Sequence, residues 1–190
     1  DRAHYPFLLY LVLGALNETL SIYLVQTGHS NAINSNIYLL LTGILILYQF
    51  KQWRLFQSSR LPYFLILLLL IGTWAAETIL LGSIKTFASH YIVLYSSVIV
   101  LMSINMINQV MATEKHSLLR NPVFMICTGF ILFFTNAIIV EAAYIYSLKL
   151  SRPFQVTIFR VMLVILLFTN LLYTAALIWM PKRRRFSFSF

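Results

Sequence analysis

Hydrophobic residues dominate six stretches of the chain, at roughly 7–26, 32–50, 61–82, 91–112, 122–147 and 156–180, and polar residues gather in the short intervals between them. A helix needs about 20 residues to cross the hydrocarbon core at ~1.5 Å of rise each. The pattern therefore predicts an all-α, polytopic transmembrane helix bundle over residues 1–181, with six spans, and a basic tail at 182–190. The second run is the weakest, because its continuous apolar part starts only near Ile37 and follows Asn31, Asn34 and Asn36. Short connections predict that neighbours in sequence pack as antiparallel neighbours in space. Pro62 and Pro122 fall in the first turn of their helices, where a missing N–H costs nothing, and Pro153 and Pro181 fall at other boundaries. Gly14, Gly43, Gly72 and Gly129 lie inside the runs and are expected to be close-packing points between helices. The sequence starts at Asp1 instead of Met, so a further upstream helix is compatible with it and would change the count.

Composition agrees with a membrane class. Of 190 residues, 60% are hydrophobic and 10% charged, against about 25% charged in a soluble domain. The net charge of +9 does not imply a nucleic-acid partner, because the basic residues form short clusters between the apolar runs. One set of ends carries Arg2, Lys51, Arg54, Arg60, Lys115, Arg120 and Lys182 to Arg185; the other carries only Lys85, Lys149, Arg152 and Arg160. That bias predicts the N-terminus of this chain, the 51–60 and 114–121 loops and the C-terminus on the cytoplasmic side of the cell inner (plasma) membrane. Trp53, Trp179, Tyr63, Tyr91 and Tyr146 lie near span ends, as interfacial aromatic belts do. The Lys182–Arg185 cluster is a topology signal and also suits anionic headgroups, at about 1 kcal/mol per charge.

Three of the five acidic residues, Glu18, Glu77 and Glu141, lie inside runs, and all three are on odd-numbered helices that run from inside to outside. Counting back from the outer ends places them about 8–12 Å deep, so they are expected to share a layer in the outer half of the bilayer. An acidic residue at a helix centre costs roughly 2.5–3.5 kcal/mol, which requires the bundle interior or a watery cavity. Arg160, in the first outer turn of the last helix, is a candidate counter-ion for Glu141 or Glu77; snorkelling to the headgroups is the alternative. A secondary polar set comprises Asn17, Asn105, Asn108, Gln109, Asn136 and Asn170. Asn105, Asn108 and Gln109 make one face of the fourth helix, and interhelical hydrogen bonding is the expected role of these amides.

The sequence carries no motif that points to a reaction or a cofactor. No phosphate-binding loop, dinucleotide fingerprint, H-E-x-x-H or C-x-x-C is present. The last span has no lysine for a retinal Schiff base. The sole cysteine, Cys127, has no intrachain partner, and His4, His29, His90 and His116 have no metal-ligand spacing. No catalytic residue, metal or cofactor is implied. The expected partners are the lipid bilayer and a protein bound through 51–60, 114–121 and Lys182 to Arg185.

Two stretches carry a family likeness: LGALNETLSIYL at 13–24 and LLRNPVFMICTGFILFFTN at 118–136. With the span spacing, they resemble small six- or seven-helix inner-membrane proteins of Bacteroidota with no assigned function. The resemblance implies one more helix upstream and a signalling role, since such proteins are often encoded near sensor kinases. It also implies an acidic residue matching Glu18; a second one common in that group is replaced here by Gly43. The expected function is a ligand-sensing or signalling component with an outward-facing polar cavity lined by Glu18, Glu77 and Glu141. A proton- or cation-coupled transporter or channel subunit, with a polar path through Asn136 and Asn170 to Asn105 and Asn108, is one alternative. A structural subunit of a larger membrane complex is the other.

Overall fold

The structure, a computed structural model, describes residues 2–57, 59–81, 84–113, 118–145 and 152–180. The 182–190 tail, residues 114–117 and Tyr146 lie outside the described residues. A short 3-10 turn, Arg2–His4, leads into α1 (Tyr5–Gln26). α2 (Ala32–Gln52), α3 (Leu61–Ala75), α4 (Ser89–Thr113), α5 (Pro122–Ile145) and α6 (Arg152–Trp179) follow. α3 continues into a widened π turn, Ala76–Leu81, which the apolar pattern does not signal. Six helical segments are long and apolar enough to cross a membrane, and no strand occurs among the described residues. In hydrocarbon every backbone N–H and C=O must be satisfied within its own segment, which favours continuous helices.

The ends are set by local chemistry. Pro6 and Pro62 occupy the first turns of α1 and α3, and Pro122 opens α5. Asn121 caps α5: its Oδ1 accepts from the N–H groups of Val123 (2.9 Å) and Phe124 (3.1 Å). α1 closes as Gly28 N–H donates to Val25 and His29 N–H to Leu24, with Gly28 at φ 76°. The same closure ends α2, where Arg54 takes the left-handed position at φ 65° that glycine usually fills.

Packing is concentrated at the end that carries Lys51, Arg54, Arg60 and Arg120, here the basic end. Phe130 is fully buried, with the rings of Phe7, Tyr10, Phe50, Phe134 and Tyr173 centred 5.8–6.2 Å away. Those rings come from α1, α2, α5 and α6, so one aromatic hub ties four helices together. α5 packs extensively on both α4 and α6, and α1 pairs with α2. Buried Gln49 closes the entry to α1: its Oε1 accepts from Phe7 N–H (2.8 Å) and its Nε2 donates to Ala3 C=O (2.6 Å). Beside it, Trp53 Nε1 donates to Nδ1 of buried His4 (3.4 Å). Toward the opposite end, where Glu77 and Glu141 lie, α1 and α6 become exposed on most sides, with Leu16, Ile22, Val161 and Val164 uncovered.

The glycines divide into two groups. A Cβ on Gly129 would lie 2.5 Å from Cε1 of Tyr173, and one on Gly43 would lie 3.1–3.3 Å from Tyr91 and Tyr95 atoms. These two are close-packing points. Gly14 would meet only the Tyr38 hydroxyl at 3.5 Å, and Gly72 meets nothing within 4 Å, so the expectation fails at Gly72, which is exposed. The aromatic-belt expectation also needs correction. Trp53, Tyr63 and Tyr91 point into the core, with Lys51 Nζ 4.5 Å from the Tyr63 ring centre, whereas Trp179 is exposed beneath Arg120. Position near a helix end sets depth but not the direction in which a ring points.

Two outcomes test this packing. Gly129→Ala should destabilise the protein by about 1–3 kcal/mol, as overpacking does, whereas Gly72→Ala should be neutral or gain up to about 1 kcal/mol from helix propensity; thermal unfolding in detergent measures both. His4, which precedes the first span, is held below its ordinary pKa of 6.5 by burial. The unfolded chain therefore takes up the proton first as pH falls. Stability contributed by neutral His4 is complete above pH 6.5 and is lost progressively below it. The unfolding midpoint should drop more between pH 7.5 and 5.5 in the native protein than in His4→Gln.

Candidate functional site at the glutamate end

The turn between the π segment and α4 is held from three sides. Asn36 of α2 is fully buried. Its Nδ2 donates to the carbonyls of Ile84 (3.1 Å) and Thr86 (2.8 Å), and its Oδ1 accepts from Ala88 N–H (3.1 Å). Its own carbonyl accepts from Trp74 Nε1 (2.9 Å). One amide thus satisfies three backbone groups of a reversal that has no helix ladder to pair them.

Glu77 stands in the π turn with its side chain only 20% exposed. Oε2 accepts from Tyr91 N–H (2.6 Å), and Oε1 accepts from His90 N–H (3.1 Å) and lies 3.1 Å from His90 Nδ1. These are first-turn donors of α4, which have no partner inside the helix, and the positive end of the helix dipole favours a carboxylate there. Glu141 of α5 is half-buried, with the Ser89 hydroxyl and Glu77 as its polar neighbours. Two of the three glutamates therefore converge on one helix N-terminus.

Glu18 is separate. It is exposed, its ionisable neighbour is Tyr38 of α2, and it forms no hydrogen bond or ion pair among the described residues. Asn17, one residue before it, joins a polar button between α1 and α2. Asn34 Nδ2 donates to Asn17 Oδ1 (2.9 Å) and is shared with Asn31 Oδ1 (3.0 Å) and Ser21 Oγ (3.3 Å). Arg160 is exposed and makes no ion pair among the described residues; the side chain that meets Glu77 is the His90 ring, 3.1 Å away.

The remaining amides do not share a path. Asn136 borders a cleft of about 480 Å³ between α5 and α6, lined also by Leu132, Thr135, Ile139, Phe154, Thr157 and Val161. Asn170 is exposed on α6, and Asn105, Asn108 and Gln109 are exposed on α4. Between the glutamate end and the basic end stand the buried rings of Phe130, Phe134 and Phe50. Among the described residues no group of three or more His, Cys, Asp or Glu is placed to hold a metal ion. The cleft can take an apolar chain, with one amide and two hydroxyl side chains at its wall.

Sequence reasoning missed Asn36, Gln49 and His90 as structural groups. The first two are amides within the second apolar run, which marks them as needing partners. Those partners lie 42–52 residues away and have no local signature. No known protein family, curated protein or solved structure matches the chain.

Replacing Glu77 by Ala should uncap α4 at a cost of about 1–2 kcal/mol. Amide exchange at His90 and Tyr91 should accelerate, whereas Glu18→Gln should leave those two amides unchanged.

Proposed function

We propose that this protein is a membrane-embedded sensor that binds an amphipathic, lipid-like molecule in the α5/α6 cleft and passes the binding signal to its basic end. The observation that carries this reading is the asymmetry of the bundle. The helices are locked by the aromatic hub at the basic end, whereas α5 and α6 part toward the other end around a cleft of about 480 Å³. A cavity closed on one side suits detection better than passage. The cleft walls are mainly aliphatic, with Thr135 and Asn136 able to orient a polar group.

The distribution of Lys and Arg supports an inner-membrane orientation with the 51–60 and 114–121 loops in the cytoplasm, available to a signalling partner. The resemblance of residues 13–24 and 118–136 to Bacteroidota proteins that are often encoded near sensor kinases is compatible with that role. In this reading Glu77 and Glu141 shape the glutamate end by fixing α4, and Arg160, on the same helix as the cleft-lining Thr157 and Val161, is left to meet a ligand headgroup. A proton or cation pathway has less support, because Asn105, Asn108, Asn136 and Asn170 do not line one route.

Ile139 is 60% exposed and lines the cleft. In nanodiscs, the fluorescent fatty acid cis-parinaric acid should bind saturably. Ile139→Trp should weaken that binding at least about tenfold, because each methylene denied burial costs ~0.8 kcal/mol. Leu20→Trp on α1 should not weaken it, and neither variant should shift the unfolding midpoint. Non-saturable partitioning, or equal binding by both variants, counts against the proposal.

A further inference from the structure

A groove of about 360 Å³ opens between α3 and α4 at the basic end. Its floor is apolar, formed by Phe56, Ile66, Leu101 and Met102, and its rim carries Ser59 and the Asn105 carboxamide. Ile66 lies one helical turn beyond Pro62 on α3, and Leu101 lies one turn inward of Asn105 on α4, so the floor runs about 6 Å inward from the rim on both helices. Leu101, Asn105 and Asn108 follow one another along one face of α4, which passes from apolar floor to exposed amide at the boundary. The Asn105 and Asn108 side chains make no hydrogen bond among the described residues. The charge beside this rim has one sign. Lys51 lies over the Tyr63 ring and Arg120 over the Trp179 ring. Arg54 and Arg60, which adjoin the lining residues Leu55 and Ser59, are exposed, and their side chains have no ion pair, hydrogen bond or ring contact among the described residues. No Asp or Glu occurs between Glu18 and Glu77, and α4 carries none; Glu114, which follows it, lies outside the described residues.

We propose that this groove seats an anionic phospholipid of the leaflet on the basic side. One acyl chain lies along Ile66, Leu101 and Met102. The Asn105 amide donates to a glycerol ester carbonyl, and the phosphate meets Arg60, with Arg54 adding a second positive charge. The order of groups from floor to rim, apolar then amide then guanidinium, is the order in which a phospholipid presents chain, ester and phosphate. A guanidinium fork matches phosphate oxygens. A zwitterionic lipid fills the floor equally well but brings its own cation toward two unpaired arginines. An apolar partner helix leaves both arginines unpaired and covers the Asn105 amide, which costs free energy without a matching group. An acidic protein segment suits the arginines and not the floor. The groove shares no residue with the α5/α6 cleft, so the inference stands apart from the sensor reading.

The full chain in a neutral detergent is titrated with phosphatidylglycerol or phosphatidylcholine, and bound lipid is counted by native mass spectrometry. Phosphatidylglycerol should bind saturably and at least about tenfold more tightly than phosphatidylcholine, as two basic side chains beside an anionic headgroup give. Arg60→Gln should reduce that preference to below about threefold, and Arg60→Lys, which keeps the charge, should restore most of it. Lys85→Gln, which removes an exposed charge at the glutamate end, should leave it unchanged. Leu101 is 67% exposed. Leu101→Trp should fill the floor and weaken both lipids at least about tenfold, whereas Leu68→Trp, exposed on α3 outside the groove, should weaken neither. None of these variants should shift the unfolding midpoint in lipid-free detergent, which separates lost binding from lost fold; the Arg60 pair decides the matter if Leu101→Trp does not fold. Glycerol phosphate, which carries the phosphate without chains, should not compete. Equal affinity for the two lipids overturns the proposal, as does an undiminished preference in Arg60→Gln, native binding by a folded Leu101→Trp, or effective competition by glycerol phosphate. A native chain that takes up no lipid saturably, because a second copy or another protein fills the groove, overturns it too.

Discussion

The contact between the Gly129 backbone and the ring of Tyr173 decides how closely α5 and α6 can approach, and the rest of the bundle follows from it. A membrane helix gains little from hiding a leucine, because lipid is as apolar as the protein interior. What remains is shape. With no Cβ at Gly129, Tyr173 can lie against the backbone of α5, and Phe130 beside it can gather rings from α1, α2 and α6. Edge-to-face aromatic contacts contribute about 0.5–1.5 kcal/mol per pair and do not depend on water for their strength. The helices are therefore fastened at one level, and they can diverge away from it without losing the fold.

The three intramembrane carboxylates are better understood as answers to different local problems than as one cluster. Glu77 supplies acceptors that the start of α4 lacks, and it does so from a π turn. Glu141 approaches the same helix end from α5 beside Ser89. Glu18 has neither role and stays exposed beside Tyr38. A carboxylate at a helix N-terminus inside a membrane protein carries a structural duty, which makes it a weaker sign of catalysis or transport than its rarity suggests.

The all-α class and the number of helices long and apolar enough to span were legible from residue pattern because each is a property of one segment and its hydropathy. The closeness of Glu77 and Glu141 to one end was legible too, since depth follows from counting along antiparallel helices. Facing was not. α1 is apolar nearly all round, so nothing in its pattern distinguishes the side of Glu18 from the side of Leu16. Tyr91 and Tyr63 sit at belt positions yet turn inward, because Gly43 and the α2/α3 contact leave room for them. The π turn was not legible, because the backbone donors that Glu77 meets, those of His90 and Tyr91, belong to the next helix.

The amides of the first two helices differ in how far along the chain their partners lie. Asn17, Asn34 and Gln49 find their partners within the α1–α2 hairpin and the turn that precedes it. Asn36 alone waits, until the chain reaches Trp74 and the 84–88 turn. Glu77 is then met by the next helix to emerge. The partners thus lie in successive stretches of the chain, within α1, α2 and the turn before them for the first three, in α3 and the 84–88 turn for Asn36, and in α4 for Glu77. The α1–α2 pair holds both sides of the Asn17–Asn34 and Gln49 hydrogen bonds, which neither helix holds alone.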